Sequence, residues 1–177
     1  MRQYLVLSAV GPDRPGIVDA ISKLIFDHGC NLEDSRMAIL GGEFAIIVLA
    51  AGETGQIAKL RIDAPALGGK IGLVLTTKPT RAPGAREPGG ARRYSVRAVG
   101  LDHEGIVHQL AHTLASLGVN IETLESATVP APHTGDPQFV LDMQIESPAQ
   151  LAEEQLREKL TEACEAVNVD VELKPVG

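Results

Sequence analysis

The stretch Gly11-Pro12-Asp13-Arg14-Pro15-Gly16-Ile17-Val18 returns 89 positions later as Gly100-Leu101-Asp102-His103-Glu104-Gly105-Ile106-Val107. The register then holds without a gap through Gly29 and Gly118, Asn31 and Asn120, Glu33 and Glu122, and Ala38 and Ala127, giving about eleven identities over about thirty positions. Chance does not produce agreement of that length. A unit this large that occurs only twice is a duplicated domain and not a solenoid repeat.

Each copy begins with a short run, Tyr4 to Val10 and Tyr94 to Val99, that reads as a strand ending at a glycine. A helix follows. Ile17, Val18, Ile21, Leu24 and Ile25 recur at helical spacing, as do Ile106, Val107, Leu110, Leu114 and Leu117, and Gly29 and Gly118 supply the stops. Asn31 and Asn120 open a second strand, which Gly41-Gly42 joins to a third as a hairpin in copy one and a longer loop, Pro130 to Pro137, joins in copy two. The second helix is weakly written in copy one, over 55–67, where Pro65 is expected to end or distort it. Copy two writes it strongly, with Leu156, Leu160, Ala163 and Val167 in a stripe. Last strands are expected over about 71–78 and 169–174. The order is βαββαβ, so the predicted class is α+β: two ferredoxin-like domains, each a four-stranded antiparallel sheet with both helices on one face. The predicted domains are 1–78 and 92–177, joined by a Pro/Gly/Arg linker over 79–91.

With 44% hydrophobic and 22% charged residues, the chain has the apolar material for packed cores. Its net charge of −7 and pI near 5.2 argue against direct nucleic-acid or membrane-surface binding, which is built from clustered Lys and Arg. The one basic cluster, Arg81, Arg86, Arg92 and Arg93, falls in or beside the linker and reads as solvated chain. Cys30 and Cys164 lack metal-ligand spacing and read as reduced structural thiols. No signal-peptide pattern opens the chain, and the longest apolar run, Phe44 to Ala51, is too short to span a bilayer as a helix. A cytoplasmic protein is expected.

The loop between first strand and first helix carries the chemistry. Asp13 is expected to cap the helix, Pro15 to sit in its first turn, and Gly16 to keep side-chain bulk away from its amides. Helix-start amides bind carboxylates, and Asn31 offers a donor and an acceptor to a ligand bearing carboxylate and ammonium groups. An α-amino acid has that pair.

The duplication, the Gly-Pro-Asp-Arg-Pro-Gly-Ile-Val loop and the run Cys30-Asn31-Leu32-Glu33-Asp34-Ser35-Arg36-Met37-Ala38 together resemble tandem ACT domains, and most of all the glycine cleavage system transcriptional repressor family. The resemblance covers nearly the whole chain, copy one more strongly than copy two. It implies an amino acid held between the first loop of one module and the start of strand two in a neighbour. Carried over by position, Gly11, Asp13, Arg14, Pro15, Gly16, Ile17, Asn31 and Asp34 would line one site, and Gly100, Asp102, His103, Gly105, Ile106 and Asn120 the other. Copy two departs from the pattern at Leu101, His103 and Glu104, and a carboxylate at Glu104 would repel an anionic ligand.

His108 and His112 stand four apart on a helix but have no third ligand nearby in sequence, so an exposed helix face is expected there and no metal. No nucleophile elbow or phosphate loop is present, and no enzymatic activity or cofactor is expected. A non-enzymatic, amino-acid-sensing regulator is the reading, with a scaffold module lacking a working ligand site as the alternative. The sheets point to a partner. In copy two Val140, Asp142, Gln144 and Glu146 make the face away from the core mostly polar. In copy one that face carries Ala45, Ile47 and Leu49 with Tyr4, Val6, Val10 and Val74, an apolar surface suited to a second copy of the chain or another protein.

Overall fold

A computed structural model describes residues 1–82, 90–131 and 135–176. The chain divides into two compact units, 1–86 and 87–177. Most of the expected linker, including Arg86, lies outside the described residues, as do 132–134 of the long hairpin loop.

Unit one runs β1 (Arg2–Pro12), α1 (Ile17–Asp27), β2 (Asn31–Leu40), β3 (Glu43–Glu53), α2 (Thr54–Ile71) and β4 (Val74–Thr80). Unit two repeats it as β5 (Arg92–Leu101), α3 (Ile106–Ser116), β6 (Asn120–Pro130), β7 (Pro137–Ser147), α4 (Glu153–Glu165) and β8 (Val169–Val176). The sheets are antiparallel, with strand orders β2-β3-β1-β4 and β6-β7-β5-β8. This is the predicted βαββαβ fold, twice.

Alternation along the central strands and the helical stripe meet in one core per unit. In unit one Leu5, Leu7 and Ala9 of β1 and Phe44, Ile46 and Val48 of β3 are buried against Ile17, Ile21 and Ile25 of α1 and Ile57, Leu60 and Ala64 of α2. Unit two buries Val96, Leu141, Met143, Leu110, Leu114, Leu156 and Leu160 in the same way. The thiols of Cys30 and Cys164 are free and buried, and desolvation raises both pKa values, that of Cys164 to about 11, which keeps them protonated and unreactive.

Two expectations are corrected in the second half of unit one. Helix α2 does not stop at Pro65 but runs on to Ile71, so β4 starts at Val74 and Ile71 belongs to the helix. The reason is where the proline falls. Ile57, Leu60, Ala64 and Gly68 form a continuous buried stripe across it, while Pro65 faces solvent, where water can satisfy the carbonyl left without an amide partner. The helix ends at Gly72, with Leu73 N donating to Gly68 O at 2.9 Å.

The edge strands β2 and β6 share a device. Between Leu32 and Asp34 the register of β2 shifts, and between Ile121 and Thr123 that of β6 does so too. The bulged residues, Glu33 and Glu122, are a matched pair, and each accepts from an arginine of the first strand, Arg2 and Arg93 respectively.

Candidate functional site

The loop that joins β1 to α1 is built by close approach at one end and an unusual turn at the other. A Cβ on Gly11 would stand 2.6 Å from Leu73 Cδ2, and one on Gly100 would stand 2.8 Å from Asn168 O. These glycines let the first strand press against the turn that leads into the last strand. Gly16 and Gly105 occupy the N-cap positions of α1 and α3 with φ of 91° and 93°. Nothing lies within 4 Å of a Cβ added to either, so backbone conformation and not space makes them glycine.

The cap itself differs from expectation. No side chain caps α1 or α3, and Pro15 precedes α1 instead of lying in its first turn. Asp13 is held away from the helix because its own amide donates to Gly42 O in the β2–β3 hairpin at 3.0 Å. Asp102 follows suit, with its amide on Pro137 O at 3.2 Å and its carboxylate accepting from Thr128 Oγ1 at 3.0 Å. The first-turn amides therefore keep the free donors that an anion needs. Ile17 and Ile106 open the helices with buried side chains, so only their backbone can face a ligand.

Asn31 sits at the other end of the sheet. Gly11 pairs with Phe44, whereas Asn31 pairs with Ala51, seven residues further along β3 and about 23 Å away at strand spacing. Asn120 is likewise seven residues of β7 from the partner of Gly100. One module thus brings Gly11, Asp13, Arg14, Pro15, Gly16 and Ile17 together but leaves Asn31 and Asp34 apart from them. Asn31 Nδ2 donates to Glu33 Oε1 at 3.0 Å, and this bond, followed by that from Arg2, holds the Glu33 carboxyl below its usual range. Asp34 accepts from Ser35 N at 2.8 Å and Arg36 Nη1 at 2.5 Å.

Two features were not legible in the sequence. Arg14 donates to the carbonyl of Ile71 at the end of α2, and the matched His103 places Nε2 2.6 Å from Val167 O just past the end of α4. At the opposite corner of unit one, a cleft of about 530 Å³ is lined by residues that include Arg2, Arg61 and Arg81. On the far end of α1, His28 bridges Leu24 O (2.7 Å) and Asp63 (2.8 Å), and the Asp63 bond raises its pKa most. The rings of His108 and His112 stack with centroids 6.0 Å apart, and among the described residues no group of three or more His, Cys, Asp or Glu could hold a metal. No helix among the described residues is long and apolar enough to cross a membrane.

A family model for the ACT domain matches residues 3–78 and again 95–174. The chain belongs to the ACT-domain family. Relatives match the tandem pair as a whole. The chain is 30% identical to the glycine cleavage system transcriptional repressor of Escherichia coli K12 over 176 residues, covering 99% of this chain and 92% of that one. The crystal structure of an unknown protein from Galdieria sulphuraria superposes with a TM-score of 0.82 at 32% identity, covering all of both chains. A protein provisionally assigned as a glycine cleavage system transcriptional repressor gives 0.73 at 27% identity, over 99% of this chain and 98% of its own.

Proposed function

We propose that the protein is a non-enzymatic regulator that senses an amino acid through its ACT modules and transmits the signal by changing its association with a second copy of the chain or with another protein. Full-length similarity to a glycine cleavage system transcriptional repressor supports a regulatory role, and glycine is a candidate effector on that ground. One observation carries the ligand reading. The first turn of α1 is uncapped by any side chain, beside a loop fixed at Gly11, Asp13 and Arg14.

A ligand carboxylate would take the α1 amides of one chain. The ammonium group would need an acceptor, and Asn31 of a second chain offers its Oδ1 while its Nδ2 remains on Glu33. The separation of Asn31 from the loop within a module favours a site completed by a neighbour. The apolar face of the first sheet, with Val10, Ile47 and Val74 at 51%, 50% and 70% exposure, is suited to that association. Its counterpart in the second module is polar, with Arg97 and Asp142 paired at 3.1 Å. The ligand acts by population shift, which requires it to favour one assembly over the other.

A thermal-shift screen of the full chain against the twenty amino acids tests this. A ligand at a hundredfold excess over its Kd adds ~2.7 kcal/mol to the stability of the form it binds. A selective rise in Tm, lost in Asn31→Ala but kept in Asn120→Ala, is expected. Flat curves at millimolar ligand would overturn the sensor reading in favour of a scaffold module.

A further inference from the structure

We infer that the residue three positions after the first-strand glycine is a latch that holds the β1–α1 loop to the end of the second helix, and that in the second module this latch is a pH-dependent one. The two copies argue it independently. Arg14 and His103 are equivalent in the repeat, and each reaches across more than fifty residues to a backbone carbonyl at the same place in the fold, Ile71 O at the end of α2 and Val167 O just past α4. Gly11 and Gly100 bring the strand end against those same turns. The loop is thus fastened at two points to the segment joining the second helix to the last strand.

The chemistry of the two latches differs. A guanidinium stays charged and keeps its donors at any accessible pH. The imidazole of His103 has an acceptor at each nitrogen: Glu104 O is 2.9 Å from Nδ1 and Val167 O is 2.6 Å from Nε2. Only the imidazolium can donate to both. A neutral ring has one N–H, so one nitrogen must turn its lone pair toward a carbonyl oxygen, and that contact becomes repulsive. Charged groups on the elements meeting there are Asp102 and Glu104 on its own loop, Asp136 ahead of β7, Glu165 in the last turn of α4 and Asp170 in β8. All are acidic, and the charge of Asp102 favours the cation. The bonds to Val167 and then Glu104 accordingly raise the pKa of His103 above 6.5. The latch is therefore complete below the unfolded value and is weakened as pH rises through the raised one, when one of the two bonds is given up. Module one keeps its loop fastened over the whole range. The latch stands whether or not the loop binds an amino acid; its effect on ligand affinity in module two rests on the reading proposed above.

Amide exchange of the full chain, followed by mass spectrometry on peptides covering 11–18 and 100–107 at about pH 6 and about pH 8.5 and corrected for intrinsic exchange, tests the inference. Protection of the 100–107 peptide is expected to fall several-fold at the higher pH while that of 11–18 is unchanged. His103→Arg should abolish the pH dependence, and His103→Leu, which has no side-chain donor, should leave the loop loosened at both pH values. Because His28 also has a raised pKa, a His28→Gln control must retain the pH response of 100–107. Equal protection at both pH values in the wild-type chain, or a response that survives in His103→Arg, would overturn the latch. A titration of the His103 ring by NMR at or below 6.5 would do the same.

Discussion

Gly16 and Gly105 hold φ near 90° in otherwise open space, so a methyl group at either meets only backbone strain. Gly16→Ala and Gly105→Ala are each expected to cost about 1–2 kcal/mol in urea unfolding of the affected module, with little change in the folded spectrum. Gly11→Ala is a different case, since its Cβ would enter Leu73 and the backbone would have to move. At this scale the sequence was legible in identity and misleading in role. The pattern Asp-x-x-Gly suggested a capping aspartate, but a β2–β3 hairpin carbonyl, Gly42 O, claims the Asp13 amide and turns it from the helix. That contact joins residues 29 positions apart, and no local spacing announces it. The equivalence of Arg14 and His103 was hidden for the same reason: their common target is a distant carbonyl and leaves no side-chain signature.

At the scale of elements, the strand alternation and the stripe of α1 read directly, because each is written in a face that the core then buries. Helix α2 did not read directly. Propensity places a break at Pro65, and tertiary burial of Leu60, Ala64 and Gly68 overrides it. Pro65→Ala is therefore expected to stabilise the first module by about 1–3 kcal/mol, because it restores an intrahelical amide on a solvent-facing turn without touching the core. Chemical denaturation monitored by circular dichroism would register a rise in midpoint. A fall would mean that the proline fits a bend on which α2 depends. The edge strands β2 and β6 were also only partly readable. Their pairing was evident from the hairpins, but β2 carries no buried residue at all, so Met37 and Ile39 are 52% exposed although their β3 partners, Ile46 and Phe44, are core. Hydrophobic alternation in such a strand does not record a core face within its own module.

For the whole molecule, duplication and class were the most legible features, since a gapless repeat fixes both without reference to any single residue. The candidate site was half legible. The repeat marks the loop and Asn31 alike, yet only the strand register shows that they lie about 23 Å apart within one module. A site completed by a neighbour, as proposed, would make assembly part of ligand binding. Ile47→Asp, in the middle of the apolar face of the first sheet, should weaken self-association by tenfold or more, since it buries an unpaired charge on dimerisation. A substitution of Gln144 in the second sheet should leave association unchanged. Sedimentation velocity of the full chain, with and without a saturating amount of the amino acid selected by thermal shift, shows whether the ligand acts through assembly. The ligand is expected to shift the distribution between assemblies, Asn31→Ala to abolish the shift, and Ile47→Asp to move the chain toward monomer under both conditions. A wild-type chain that binds the amino acid yet sediments identically with and without it would rule out sensing through assembly.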